Sequence, residues 1–318
     1  MIEYFTAVRE HSLRAVELQG RLGNQLFQFA MMKAQLQDDG PVLVESIAAS
    51  DHPLRLALRD GQYRRLTSRE SLKLRRPPSL DGRTRPYLQS ALGRVPDPLQ
   101  HLTLGRAIYT EPHWWAFDPD VARQSGPVLL RGYFQNEQYF QDEAQRVVSS
   151  LNPASAAMSE QMRSVTALGR SRESVAIVVR AGLDYEQLQW AVRLKWYLEA
   201  AQRACATLAD PGFMVFSDVP LCAEAVAVSL RDLGPAHAVL GLSPLDQLHM
   251  MSTADHVVTG PTTFGWWGAW LGDAARGFGP RTVVTPDPWL EVGCETPSSR
   301  WTSIPCAYGF DHPREPLP

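Results

Sequence analysis

Two strings in this chain set backbone N–H groups where an anion could sit. The first, Gly20-Arg21-Leu22-Gly23-Asn24-Gln25-Leu26-Phe27-Gln28-Phe29-Ala30, turns an apolar run (Ala15, Val16, Leu18) into a helix. Leu26, Phe27, Ala30, Met31 and Ala34 recur at helical spacing and form its apolar face. A glycine-bearing turn that feeds a helix start gathers unpaired N–H groups and the positive dipole end at one point, which suits a diphosphate. Asn24 and Gln25 would stand on its rim with their amides open to a ligand. In the second string, Thr262 and Thr263 would cap a helix beginning with Phe264 and leave its N–H groups to a phosphate. Ser217 and Asp218 close a buried strand and would cap the helix after it. A plain strand-turn-helix connection remains the alternative for each.

The elements that position these residues are clearest in the second half. Strands are expected at 175–179, 213–216, 237–240, 256–259 and 282–285. Helices follow near 196–204, 221–230, 245–252 and 264–271. Such alternation predicts a parallel sheet covered by helices, with every strand-to-helix loop on one edge, where ligands bind. The first half begins alike, with strands near 15–18 and 42–44, turns irregular, and recovers at 128–130. Two Rossmann-like domains facing across a cleft are expected, 1–165 and 166–318, with the boundary near Ala154 to Ser171 and the C-terminal tail packing back on the first domain.

Composition narrows the class. The 318 residues are 44% hydrophobic with a net charge of -3, enough apolar content for two cores and no bulk charge directed at nucleic acid. Between Arg55 and Arg94, eleven Lys or Arg residues face three acids, broken by Pro77, Pro78 and Pro86. This insertion reads as a solvated segment or as a basic wall for an anionic acceptor or leaflet. No apolar run reaches the roughly eighteen residues of a membrane span. Met1 to Phe5 lacks a secretion pattern, and the four cysteines show no disulfide spacing. A cytoplasmic location is expected, with peripheral membrane contact left open. No metal site is expected: Asp118-Pro119-Asp120 reads as a turn, and no histidines stand at ligand spacing.

Besides the opening Gly20–Ala30 string, four strings lie on loops that this topology brings to the cleft. They are Gly132-Tyr133-Phe134-Gln135-Asn136-Glu137-Gln138-Tyr139-Phe140, Val178-Val179-Arg180-Ala181-Gly182-Leu183-Asp184-Tyr185, Phe216-Ser217-Asp218, and Thr262-Thr263-Phe264-Gly265-Trp266-Trp267-Gly268-Ala269-Trp270-Leu271. With the opening string, and in the same order, they resemble glycosyltransferase family 11, the α-1,2-fucosyltransferases. The resemblance implies an α/β fold of GT-B type and a donor domain holding GDP-L-fucose or a related GDP-sugar. It also implies inverting transfer without a cofactor or metal.

Residue by residue, the resemblance implies that Arg180 binds the β-phosphate and stabilises the leaving group, and that Asn24 faces the diphosphate and sugar. Asp184 stands at the family's Asp position and, with Glu137, is a candidate base. Gly23, Gln25, Gly182, Ser217, Asp218, Thr262, Thr263 and Phe264 would surround the donor. Gln135 and Glu137 are candidates for acceptor binding, with local turn chemistry the alternative. The family's H-x-R-R-G-D string is altered here: Val178 replaces His, Ala181 replaces the second Arg, and Leu183 is inserted. Three functions are therefore weighed: a fucosyltransferase-like enzyme acting on a glycan or small glycosylated acceptor, in a bacterial pathway; a nucleotide-sugar or glycan-binding relative without turnover; and, more weakly, a nucleotidase.

Overall fold

The computed structural model describes residues 13–36, 40–45, 52–74, 107–124, 127–152, 173–290 and 293–313. The expected boundary near 154–171, and the part of the basic insertion beyond residue 74, lie outside them. The first sheet has strands β1 (Arg14–Glu17), β2 (Val42–Glu45), β3 (Tyr63–Arg65), β4 (Ala107–Thr110) and β5 (Val128–Arg131). Helices α1 (Leu22–Gln35), α2 (His52–Ala57), α3 (Ser68–Lys73), α4 (Asp120–Arg123) and α5 (Ala144–Ser149) accompany it. The strand order is β3-β2-β1-β5-β4, and every pair is parallel.

The second sheet has β6 (Glu173–Val179), β7 (Pro211–Ser217), β8 (Ala236–Ala238), β9 (His256–Thr259), β10 (Val283–Asp287) and β11 (Thr302–Pro305). Its helices are α6 (Leu183–Gln187), α7 (Leu194–Ala204), α8 (Pro220–Ser229), α9 (Pro244–Thr253) and α10 (Thr263–Ala275). The order β11-β10-β9-β6-β7-β8 is again wholly parallel. Residues 174–179 of central β6 are all buried, as a strand covered on both faces requires. Edge strands β3 and β11 escape the apolar pattern because one face of each stays wet. Arg64 and Arg65 on β3 are exposed, a common way to blunt a sheet edge.

One helix joins the two halves. On one side α10 carries Gly265, Gly268 and Gly272, where a Cβ would lie 2.1 Å from Thr259 Oγ1, 2.6 Å from Met251 Cβ and 2.5 Å from the Ser252 carbonyl oxygen. These glycines let the helix settle onto β9 and α9. On the other side Trp266, Trp267 and Trp270, each 0% exposed, pack on Phe27 of α1 and on Phe140. The apolar core therefore runs unbroken from one sheet to the other. Indole N–H groups fix the register: Trp267 donates to the Gly23 carbonyl (3.0 Å) and Trp266 to that of Thr296 (2.7 Å).

The chain's last part crosses between the halves. Residues 295–300 lie on the first, where the Glu295 amide donates to the Trp115 carbonyl (2.7 Å) and Arg300 pairs with Glu137. β11 then returns to the second sheet, and the His312 ring contacts the Val192 carbonyl there. Among the described residues, no helix is long and apolar enough to cross a membrane.

Gly23 marks the tightest point of this junction. A Cβ there would stand 2.5 Å from Thr263 Oγ1 and 2.8 Å from the Phe264 amide nitrogen. Gly23→Ala is expected to lose about 1–3 kcal/mol, the usual cost of overpacking a core. The loss will appear as a melting temperature lowered by several degrees in a thermal unfolding scan.

Candidate active site

The carboxyl edges of the two sheets enclose a cleft of about 680 Å³. Its floor is the paired starts of α1 and α10. Gly20 turns the chain with φ +72°, and a Cβ on it would strike the Asn24 amide. The residue ahead of α1, Arg21, supplies no side-chain cap. The first-turn N–H groups of α1 thus lack acceptors within the helix and without a cap. Thr262 caps α10 by accepting from the Phe264 amide (3.3 Å), as expected. Thr263 does not cap. It is the first helical residue, and its hydroxyl donates to Asn24 Oδ1 (2.9 Å), which also accepts from Gln135 Nε2 (3.2 Å).

Arg180 rises beside this floor from the end of β6. Its side chain is 12% exposed and ion-paired on both sides, to Asp218 and to Asp184. Asp218 also accepts from the Ala181 amide (2.9 Å), and Arg21 lies 3.8 Å from Asp184. The guanidinium carbon sits 4.8 Å from the Tyr185 ring centre, a cation–π contact. Tyr185 donates its hydroxyl to the Pro261 carbonyl (2.7 Å), and burial pushes its pKa up to about 12, holding the phenol protonated. Two carboxylates and an aromatic face thus set the plane of Arg180 while one edge of it meets the cleft.

Several candidates from the sequence stand elsewhere. Gln25 is fully buried rather than on the rim; one position further into the helix, it faces the core and donates to the Gly20 carbonyl (3.0 Å), bracing the turn. Glu137 is buried in a short 3-10 turn, Glu137–Tyr139, and does not line the cleft; Arg300 holds it at 2.7 Å. Gly182 does not line the cleft; a Cβ there would meet Asp218 Oδ2 at 2.4 Å, so its place is to let Asp218 reach Arg180. Ser217 and Asp218 do not cap α8, which starts behind Val219 with Pro220 at its first position, where no N–H needs a partner. Ser217 Oγ accepts from the Val219 amide (3.1 Å) instead. Asn24, Gly23, Gln135, Arg180, Asp184, Ser217, Asp218, Thr262, Thr263 and Phe264 all line the cleft. Asp118 and Pro119 turn the chain into α4, of which Asp120 is the first residue, and Asp118 Oδ1 accepts from the Asp120 amide (2.9 Å).

The Trp114-Trp115 region was expected to shape the acceptor pocket, and Trp114 lines the cleft; the sequence reading gave no role to Trp190 or Trp289, which line it too, Trp190 meeting Tyr185 edge to face at 5.9 Å. Their signal was tryptophan in loops, outside any apolar periodicity. Glu111 was missed too. It is buried behind the turn that presents Tyr133 and Gln135, and it accepts from the amides of Tyr133 (2.8 Å) and Phe134 (3.0 Å). Phe134 has φ +52°, so this carboxylate secures a left-handed residue.

Two parallel α/β halves facing across such a cleft are the GT-B arrangement of glycosyltransferases. Residues 122–276 match the family model described as glycosyl transferase family 11. An alpha-1,2-colitosyltransferase of Escherichia coli is 23% identical over 173 residues, which are 52% of this chain. The match spans only 57% of that protein. Among solved structures, POFUT1 in complex with GDP aligns over 87% of this chain and 98% of its own, with 16% identity and a TM-score of 0.48. NodZ alpha-1,6-fucosyltransferase soaked with GDP-fucose aligns over 82% and 92%, with 13% identity and a TM-score of 0.44.

Burial raises the Glu111 pKa from 4.5 to about 7, against the lowering effect of the two amide bonds. A carboxyl with its folded value above its unfolded one binds its proton more tightly when folded. Stability should therefore fall as pH rises from about 4.5 to about 7 and then level off. Glu111→Gln is expected to remove that slope, on the order of 3 kcal/mol. Urea unfolding of both proteins at pH 5 and pH 8 measures it.

Proposed function

We propose that this chain is an inverting, metal-independent transferase that moves L-fucose, or a related sugar, from a GDP-sugar to an acceptor hydroxyl. Residues 166–318 would hold the donor and residues 1–165 the acceptor. The observation that carries this reading is the convergence of two helix starts and one held arginine on a single cleft. In the reaction, the acceptor hydroxyl oxygen attacks the anomeric carbon and gives up its proton, late, to water or to the departing phosphate, while the bond to the β-phosphate oxygen breaks and GDP departs with the electron pair. Negative charge grows on that oxygen. Preorganised N–H donors and a guanidinium are the groups that stabilise such charge best.

Arg180 reaches phosphate by exchanging one partner. Asp218, tied also to the Ala181 amide, keeps its hold. Asp184 is 46% exposed on α6, a pairing worth at most about 1 kcal/mol, and it gives way to a phosphate gripped by two parallel bonds. Asp184 is thus better suited to holding Arg180 than to taking the acceptor proton. The α-1,2 linkage rests on the family resemblance and on the E. coli relative's name. That relative's sugar is colitose, which keeps the donor sugar wider than fucose.

A binding protein without turnover is the second reading. The paired carboxylates around Arg180, together with Val178 and Ala181 in the altered string, favour it. Single-turnover assays with GDP-sugars separate the two. Arg180→Ala should lower kcat about a hundredfold or more with an unchanged melting temperature. A chelator should leave wild-type turnover intact. Donor binding without GDP release under any acceptor tried would establish the second reading.

A further inference from the structure

We infer that Trp114 and Tyr133, on the first half of the cleft, form a stacking platform for a pyranose ring of the acceptor. This rests on the reading of the cleft as the transfer site. Both residues line the cleft, and both are partly exposed. Their loops leave neighbouring strands, because Thr110 at the end of β4 pairs with Arg131 at the end of β5. Parallel pairing carries the two loops out over one sheet edge, side by side.

Two carboxylates stitch these loops together. Glu111, on the loop that carries Trp114, accepts from the amides of Tyr133 (2.8 Å) and Phe134 (3.0 Å) on the other loop. Glu295 accepts from the Phe117 amide (3.0 Å) and from Asn136 Nδ2 (3.2 Å), while its own amide donates to the Trp115 carbonyl (2.7 Å). Trp114 also meets Trp115 edge to face at 5.5 Å. Rings anchored in this way lose little freedom when a ligand arrives. The Trp114 indole N–H and the Tyr133 hydroxyl make no hydrogen bond among the described residues. An aromatic face with a polar tip suits a pyranose, whose C–H groups pack on the ring while its hydroxyls bond the tip.

Inversion assigns this platform to the acceptor. Arg180 would hold the departing phosphate from the second half. An inverting displacement then brings the attacking oxygen in from the opposite face of the sugar. Trp114 and Tyr133 stand on the half across from Arg180. Gln135, two residues past Tyr133, reaches Asn24 at the cleft floor (3.2 Å). An acceptor ring stacked on Trp114 would thus turn its reacting hydroxyl toward that floor. Tyr185, Trp190 and Trp289 line the cleft from the second half, on the donor's side.

Saturation-transfer NMR of the full chain, first saturated with GDP, tests this with the methyl β-glycosides of galactose, glucose and N-acetylglucosamine. At least one should bind at millimolar concentration, with irradiated aromatic protons of the protein transferring most strongly to C–H groups on one ring face. Trp114→Ala should weaken that binding about tenfold or more, and Trp114→Phe should retain most of it. Tyr133→Phe should weaken it to a lesser degree, and GDP affinity and melting temperature should hold in all three. Should Trp114→Ala melt early, Trp114→Leu, which keeps apolar bulk without a ring, takes its place. Failure of every glycoside to bind, or undiminished binding without the Trp114 ring, would overturn the inference. A loss of GDP affinity on removing that ring would overturn it too, by putting the nucleobase there. Absence of GDP binding by the unaltered chain would instead overturn the transferase reading on which it rests.

Discussion

The contact between the starts of α1 and α10, closed at Gly23, is the constraint on which the molecule turns. Each helix start is by itself a modest anion site. Brought within van der Waals distance, they aim two sets of first-turn N–H groups at the same space, and their dipoles add there. The contact needs a residue without Cβ at position 23 and a hydroxyl at 263 to tie Asn24. It also needs an apolar seam strong enough to hold two like-signed helix ends together. The three tryptophans of α10 against Phe27 and Phe140 supply that seam, and the glycines on the opposite side of α10 anchor the helix to its own sheet.

This arrangement also explains why Arg180 is so heavily held. An arginine beside two helix starts adds to positive potential already present, and a free guanidinium would swing away toward solvent. Asp218 and Asp184 offset the charge and fix the plane, while the Tyr185 ring supports it from the side. On the proposed reading, the more exposed carboxylate, Asp184, is the one that would yield to an arriving anion.

Much of this was legible in the sequence, for reasons that are local. A strand passing into a helix through Gly20 and Gly23 shows in the change from a run of apolar residues to helical spacing. The parallel sheet of the second half shows in its alternation. The hydroxyl of Thr262 identifies a helix start. What could not be read depends on partners distant in the chain. Gln25 and Asn24 are both amides after the same glycine, and only the packing of α1 decides that one is buried and the other meets Thr263. Glu137 belongs to Arg300, 163 positions away. Strands β3 and β11 carry charged or mixed residues because edges tolerate them, so pattern alone passes them over. Asp218 looked like a cap because its spacing allowed one, and Pro220 removed the need.

A crystal structure of the chain with GDP bound tests the central claim most directly. The account predicts the β-phosphate within hydrogen-bonding distance of Arg180 and of first-turn N–H groups from both α1 and α10, with Asp184 turned aside. A diphosphate lying away from the Gly23–Thr263 junction, with Arg180 still clasped by both carboxylates, would contradict it.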